Sequence, residues 1–415
     1  MSSASRSSKS PDPLRGLSRF RKLTFVVATL LALVFVWGLA LEGAIRVFDI
    51  GPEINPVWSG NYQLSKNPLL RYELAPESMD GRTNINRHGM RDREYAVEKP
   101  SGTFRIAVIG DSIAYGLGVA EDSTFSTQLE RLLEKYYQRA GDPKVEVLNF
   151  GVTGYSFAQV METLRARALD FDPDLVIYAY SLNDPQEYSL EMGHLLAQLS
   201  EAEERYLSLD GPRVFAQHSR LYRLTRYLLS KENSTRHAAP VWHRDDPQFL
   251  ALREGRAASY FAELNTAPRT WQPIAAGLRE LEALSASRSF RVHAVLFPLF
   301  ENLDDYPIPE VHAHLAQAFA ERSIPLLDLL DPFECFTKVE GKGIAADALH
   351  PNKIGHALTA VVLLHHLLST EVLPALPADS FSRLGNGGVD TAAYAEVTLE
   401  VERMRSGQDS RCTAP

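Results

Sequence analysis

The chain has 415 residues, 45% of them hydrophobic and 23% charged, a globular composition with length enough for one α/β domain and attachments, and not that of a disordered protein. A formal net charge of −9 supplies no basic field for a phosphate backbone and argues against a nucleic-acid partner. Two cysteines, Cys335 and Cys412, are too few for a disulfide framework and lack the paired spacing of a zinc site, leaving room for at most one disulfide.

Residues 1–22 are rich in Ser, Arg and Lys and read as a cytoplasmic N-terminal segment. Residues 23–41 carry no charge, and about 20 apolar residues suffice to cross a bilayer, so this run is expected to be a transmembrane helix. Arg15, Arg19, Arg21 and Lys22 precede it and Glu42 follows, which places the N-terminus inside and everything after Leu41 on the extracytoplasmic side. A cleaved signal peptide ending near Gly38-Leu39-Ala40 is the competing reading. The apolar run exceeds the usual h-region of about 7 to 15 residues, which favours a retained single-pass anchor. Residues 47–102 are punctuated by Gly51, Pro52, Pro56, Gly60, Pro68, Pro76 and Gly81 and read as a juxtamembrane stalk packing onto the next domain. Within it, Thr83 to Gly89 is expected to be an edge strand of that domain.

Residues 103–370 alternate strands with helices. Phe104–Gly110 is a β-branched strand followed by helical spacing over Ser123–Tyr137, and Val145–Phe150 precedes a helix through Val160–Ala168. Leu175–Tyr180, Phe290–Phe297 and Ile324–Leu329 give three more strands, with helices over Trp271–Ala286, Val311–Arg322 and Asn352–Leu368. Such alternation predicts an α/β fold, a parallel sheet covered on both faces. Residues 185–288 form a helical, polar insert, either a lid or substrate platform or a plain decoration. Its Arg220, Arg223 and Arg226 stripe reads as a solvated helix face. Residues 374–415 read as a flexible tail with one short helix near Ala392–Met404.

Four strand-end loops carry candidate chemistry. A hydroxyl is a weak nucleophile, so acyl transfer from an ester needs a base, a group that orients the base, and donors for the oxyanion formed on attack. Gly110-Asp111-Ser112 ends the first strand at the carboxyl edge, where ligands bind in open α/β folds. The second strand ends in Asn149-Phe-Gly151-Val-Thr-Gly154, where a glycine offers an unobstructed N–H. The third ends in Ser181-Leu-Asn183-Asp184-Pro185, bringing a side-chain amide donor to the same edge. Asp347-Ala-Leu-His350-Pro351 precedes the last helix, with spacing that lets the carboxylate reach Nδ1 while Nε2 faces outward. Each motif alone is ordinary turn or cap chemistry; the ordered set is not.

These segments resemble the four blocks of the SGNH/GDSL hydrolase superfamily, over about Phe104 to Leu368 without the insert. The resemblance implies a flavodoxin-like three-layer α/β/α sandwich, with Ser112 as nucleophile and His350 and Asp347 completing the triad. It further implies an oxyanion hole made of the Ser112 N–H, the Gly151 N–H and the Asn183 side chain. Members commonly carry Gly two residues before that Asn; here the position is Ser181. No Gly-x-Ser-x-Gly elbow is present, which separates the chain from α/β-hydrolases. His194, His218, His293, His365 and His366 lack ligand spacing, so neither metal nor cofactor is expected. The expected activity is a membrane-anchored serine esterase acting on acyl, above all O-acetyl, esters of extracellular carbohydrate. The alternatives are a polysaccharide O-acetyltransferase with the same triad, a lipase or lysophospholipase reaching lipid through the anchor, and a silent binding protein. A histidine base must be neutral, so activity should fall below its pKa, about 6.5 for an unperturbed imidazole.

Overall fold

A computed structural model describes residues 19–47, 61–80, 83–137, 143–186, 221, 247–340 and 343–374. The chain divides into two compact units, one of residues 1–55 with 205–237, the other of residues 56–204 with 238–415. The described part of the first is essentially one helix, α1 (Arg19–Val47), whose Leu23–Ile45 stretch has a mean hydropathy of 2.5 and is long and apolar enough to cross a membrane or to serve as a signal sequence. Its large apolar side chains from Leu23 to Leu41 are exposed, Trp37 to 72%, whereas Ile45 is buried.

The second unit is built on a five-stranded parallel sheet. Its strands are β5 (Thr103–Gly110), β6 (Lys144–Asn149), β7 (Leu175–Tyr180), β8 (Arg291–Leu296) and β9 (Leu326–Asp328), in the spatial order β6-β5-β7-β8-β9. Counted along the chain this is the order 2-1-3-4-5, the doubly wound pattern whose switch point lies beside the first strand. The strands are buried on both faces, and their side chains divide by parity. Ala107, Ile109, Val176, Tyr178 and Tyr180 enter one apolar cluster, while Ile106, Val108, Leu175, Ile177 and Ala179 enter the other. The first cluster is capped by α4 (Phe157–Ala166), α7 (Pro268–Arg288) and α8 (Pro309–Ala320) through Val160, Leu164, Leu278, Leu281, Leu315 and Phe319. The second is capped by α3 (Phe125–Tyr136), α9 (Leu330–Glu340) and α10 (Lys353–Ser369) through Leu129, Leu133, Phe333, Leu358 and Leu363. This is the three-layer α/β/α sandwich expected, with α9 an addition that the sequence pattern did not announce.

Residues 61–102 are woven into the sandwich. Leu70, Tyr72, Leu74, Ile85, Met90 and Tyr95 are buried in the first cluster. The short pairs β1 (Tyr62–Leu64) with β2 (Tyr72–Leu74) and β3 (Met79–Asp80) with β4 (Thr83–Asn84) are separate antiparallel ladders, so the Thr83 segment is not an edge of the main sheet. The segment is too short and too rich in Gly and Asn to extend that ladder. In the insert, the described residues form α5 (Pro247–Arg253), α6 (Ala257–Thr266) and α7, the last being the crossover helix into β8. The Arg220 stripe and the Ala392–Met404 helix lie outside the described residues. Cys335 is disulfide-bonded, and Cys412 lies outside the described residues.

Candidate active site

β5 runs out at Gly110, and Asp111 turns the chain by accepting a 2.9 Å hydrogen bond from the Ile113 N–H, capping the single-turn helix α2 (Ser112–Tyr115). Gly116, at φ 82°, closes that turn. Ser112 is thereby fixed at the first helical position, where an N–H has no intrahelical acceptor. From below, the buried Arg91 donates to the carbonyls of Tyr115 at 2.9 Å, Gly116 at 2.6 Å and Val119 at 2.6 Å, tying off the far end of α2.

The loop before α10 brings its two side chains to this serine. Ser112 Oγ lies 2.8 Å from His350 Nε2, and His350 Nδ1 lies 2.9 Å from each Asp347 carboxylate oxygen. Nδ1–H therefore donates to Asp347, which leaves Nε2 to accept the serine proton. Asp347 also accepts the N–H groups of Leu349 at 2.8 Å and His350 at 2.9 Å. Partial burial works against its charge, but hydrogen bonds from His350, the positive charge there and these backbone donors outweigh it, holding Asp347 below the usual carboxylate range. The loop is pinned by Ala346 N–H to His350 O at 2.8 Å, Phe300 N–H to Ala348 O at 2.8 Å, and Asn352, which caps α10 and donates to the Gly343 carbonyl at 2.9 Å.

The second loop departs from expectation. The Gly151 N–H donates to Asn149 Oδ1 at 2.9 Å and so is already engaged. Gly151 is a glycine for another reason: a Cβ there would stand 2.3 Å from the Tyr115 backbone nitrogen. Three residues on, Gly154 (φ 75°) lines a cavity of about 370 Å³ together with Ser112, Asn183, Asp347 and His350, and its N–H has no partner among the described residues. Of the two glycines it is Gly154, and not Gly151, whose N–H is left open beside this cavity. Asn149 organises this loop further by donating from Nδ2 to the Ala114 carbonyl at 2.8 Å, and its own N–H is held by Asp92 Oδ2 at 2.9 Å.

Beneath the third loop lies a group of buried acids. Burial raises Asp111 above its ordinary value, against the pull of the Ile113 N–H, His350, and the Asn183 and Ser112 side chains. Asp184, fully buried and hydrogen-bonded by the Tyr178 hydroxyl, is raised well above its own, first by burial and next by the charge of Asp111. These groups, with Arg91 and Asp92, build the site without facing the cavity. Sequence reading singled out Asn183 for its side-chain amide, but Asp184 beside it and the distant Arg91 and Asp92 carry no local signal of these roles.

The profile of the GDSL-like lipase/acylhydrolase family matches residues 108–358, more than half of the chain. The protein belongs to that family and is a serine ester hydrolase by class. A search among curated proteins finds no match. Among solved structures, similar folds include a two-domain esterase (CEX) active on acetylated mannans (18% identity, TM-score 0.37), of which the chain spans 53% while 66% of this chain is covered. An acetyl xylan esterase, AlAXEase, is 13% identical at TM-score 0.35, covering 64% of this chain and 99% of its own. The acetylxylan esterase Axe2 of Geobacillus stearothermophilus is 14% identical at TM-score 0.37, covering 64% and 94% respectively.

Proposed function

We propose that the protein is a membrane-anchored esterase that removes acyl groups, chiefly O-acetyl, from extracellular carbohydrate through Ser112, His350 and Asp347. The observation that carries the triad is the 2.8 Å approach of Ser112 Oγ to a histidine whose other nitrogen is fixed by a carboxylate. His350 takes the Ser112 proton as Oγ attacks the ester carbonyl, and the developing oxyanion is received by the N–H groups of Ser112 and Gly154 and the Asn183 amide. The protonated His350 then returns that proton to the departing sugar oxygen, and Asp347 stabilises the imidazolium meanwhile. A water attacks the acyl-enzyme by the same path in reverse, releasing the acid and restoring the serine. The anchor is the apolar Leu23–Ile45 stretch of α1 with the arginines before it, which favours an inside N-terminus and a catalytic domain on the extracytoplasmic side. The substrate reading rests on that position, where polymeric glycans are the abundant esters.

A serine-directed fluorophosphonate, mapped by mass spectrometry on the full chain, should label Ser112, and Ser112→Ala should lose both label and p-nitrophenyl acetate hydrolysis; label at any other serine defeats the triad. Acetylated glycans should then release free acetate. Transfer of the acetyl group to an added glycan in place of water would make the protein an acetyltransferase, and preference for long-chain esters would make it a lipase.

A further inference from the structure

Resting on the acyl-transfer reading above, we infer that Ser181 is a positioning residue that locks the Asn183 amide in the one orientation able to receive an oxyanion. Ser181 is 4% exposed, and its hydroxyl donates to Asn183 Oδ1. The same amide helps to hold down the pKa of Asp111, the residue that caps the nucleophile helix, against the larger effect of burial. The amide is held at its oxygen end. Its oxygen is consumed by the Ser181 hydroxyl, which leaves the Nδ2 end for the cavity that Asn183 shares with Ser112, Gly154 and His350. A flipped amide would give up the hydrogen bond that its oxygen accepts from Ser181 and turn an acceptor toward the developing negative charge.

Free rotation about Asn χ2 is otherwise soft, since such a terminal torsion is broad and roughly two-fold. A glycine at position 181 would have no side chain with which to hold the amide oxygen. In this chain the turn supplies the lock itself: Ser181 also offers its carbonyl to the Asp184 N–H at 2.9 Å, which fixes the loop from which its hydroxyl reaches two residues ahead. Preorganised donors act because they need no reorganisation as charge develops, so a residue that removes the alternative amide orientation contributes to kcat and not to ground-state binding.

The test is a double-mutant cycle on p-nitrophenyl acetate with the full chain. Removing an oxyanion donor outright costs on the order of 10²–10³ in kcat, and loosening one should cost about 10-fold. Ser181→Ala should therefore lower kcat about 10-fold with KM unchanged and the melting temperature preserved, Ser181→Gly should behave alike, and Ser181→Thr, which keeps the hydroxyl, should recover most of the rate. In an Asn183→Ala background the Ser181→Ala change should have no further effect, because its route runs through that amide. Wild-type kcat in Ser181→Ala and Ser181→Gly, or the same loss with Asn183 already removed, would overturn the inference while leaving Ser112 in place. Unimpaired hydrolysis by Ser112→Ala would overturn the acyl-transfer reading and this inference with it.

Discussion

Asp347 keeps a low pKa although its side chain is 59% exposed, because three donors converge on its two oxygens: His350 Nδ1–H and the N–H groups of Leu349 and His350. A carboxylate held below its ordinary pKa contributes its interaction above the unfolded value, about 4, and loses it as pH falls through the lower folded value. Asp347 therefore stays ionised to a lower pH than an ordinary carboxylate does. Asp347→Asn should keep the geometry while favouring the wrong imidazole tautomer, lowering kcat by roughly 10³-fold or more with KM little changed in steady-state assays. The two glycines of the second loop should separate cleanly. Gly154→Ala, forced at φ 75°, should weaken turnover more than folding, whereas Gly151→Ala drives a methyl into the backbone of α2 and should lower the melting temperature first. Parallel melting and kinetic measurements on the two variants check this. Sequence could not choose between the glycines, since both sit in one loop with the same residue type; the choice lies in which N–H Asn149 has already engaged.

Segment 86–95 shows what lies beyond local pattern. Arg91 reaches three carbonyls 24 to 28 positions away and Asp92 reaches the Asn149 N–H 57 positions away, so residues preceding the family-matched region clamp both the nucleophile helix and the glycine loop. Arg91→Met should leave buried carbonyls unpaired, at about 1–3 kcal/mol each for those that find no water, and lower both the melting temperature and kcat. Full kcat in that variant would detach the segment from the site. The strands were legible because parallel β-structure buried on both faces writes continuous runs such as Leu175–Tyr180, and the crossover helices write 3.6-residue spacing. Residues 61–102 were not, because their Gly and Pro punctuation mimics a linker while isolated residues such as Tyr72 and Met90 go into the core without any period.

Across the whole molecule, the buried acids set the pH response of stability. Asp92 is raised to about 8, first by burial and next by the charge of Glu130, and Asp111 and Asp184 are raised as well. Groups whose folded pKa lies above the unfolded value give stability that is full below about 4 and is lost as pH rises through the folded value. His356, lowered to about 3 by burial, and His293, lowered to about 4 by burial, oppose this only below about 6.5, where the unfolded chain would take up their protons. Between pH 6.5 and 9 the melting temperature should therefore decline, and Asp92→Asn, with no proton to lose, should decline less steeply. Equal slopes for the two proteins in a calorimetric pH series would contradict this.

Carboxylate and imidazole ride on one loop only three residues apart, while Ser112 is anchored by β5 and by Arg91 from elsewhere in the chain. The pair can thus drift as a single piece. Releasing the Phe300 tether to Ala348 would lengthen the contact with Ser112 while the Asp347–His350 hydrogen bond travels intact, so the downfield Nδ1 proton would persist in an enzyme that has stopped turning over. Damage at this hinge would be silent to a probe of the Nδ1 proton and audible only to one of the Nε2–serine contact.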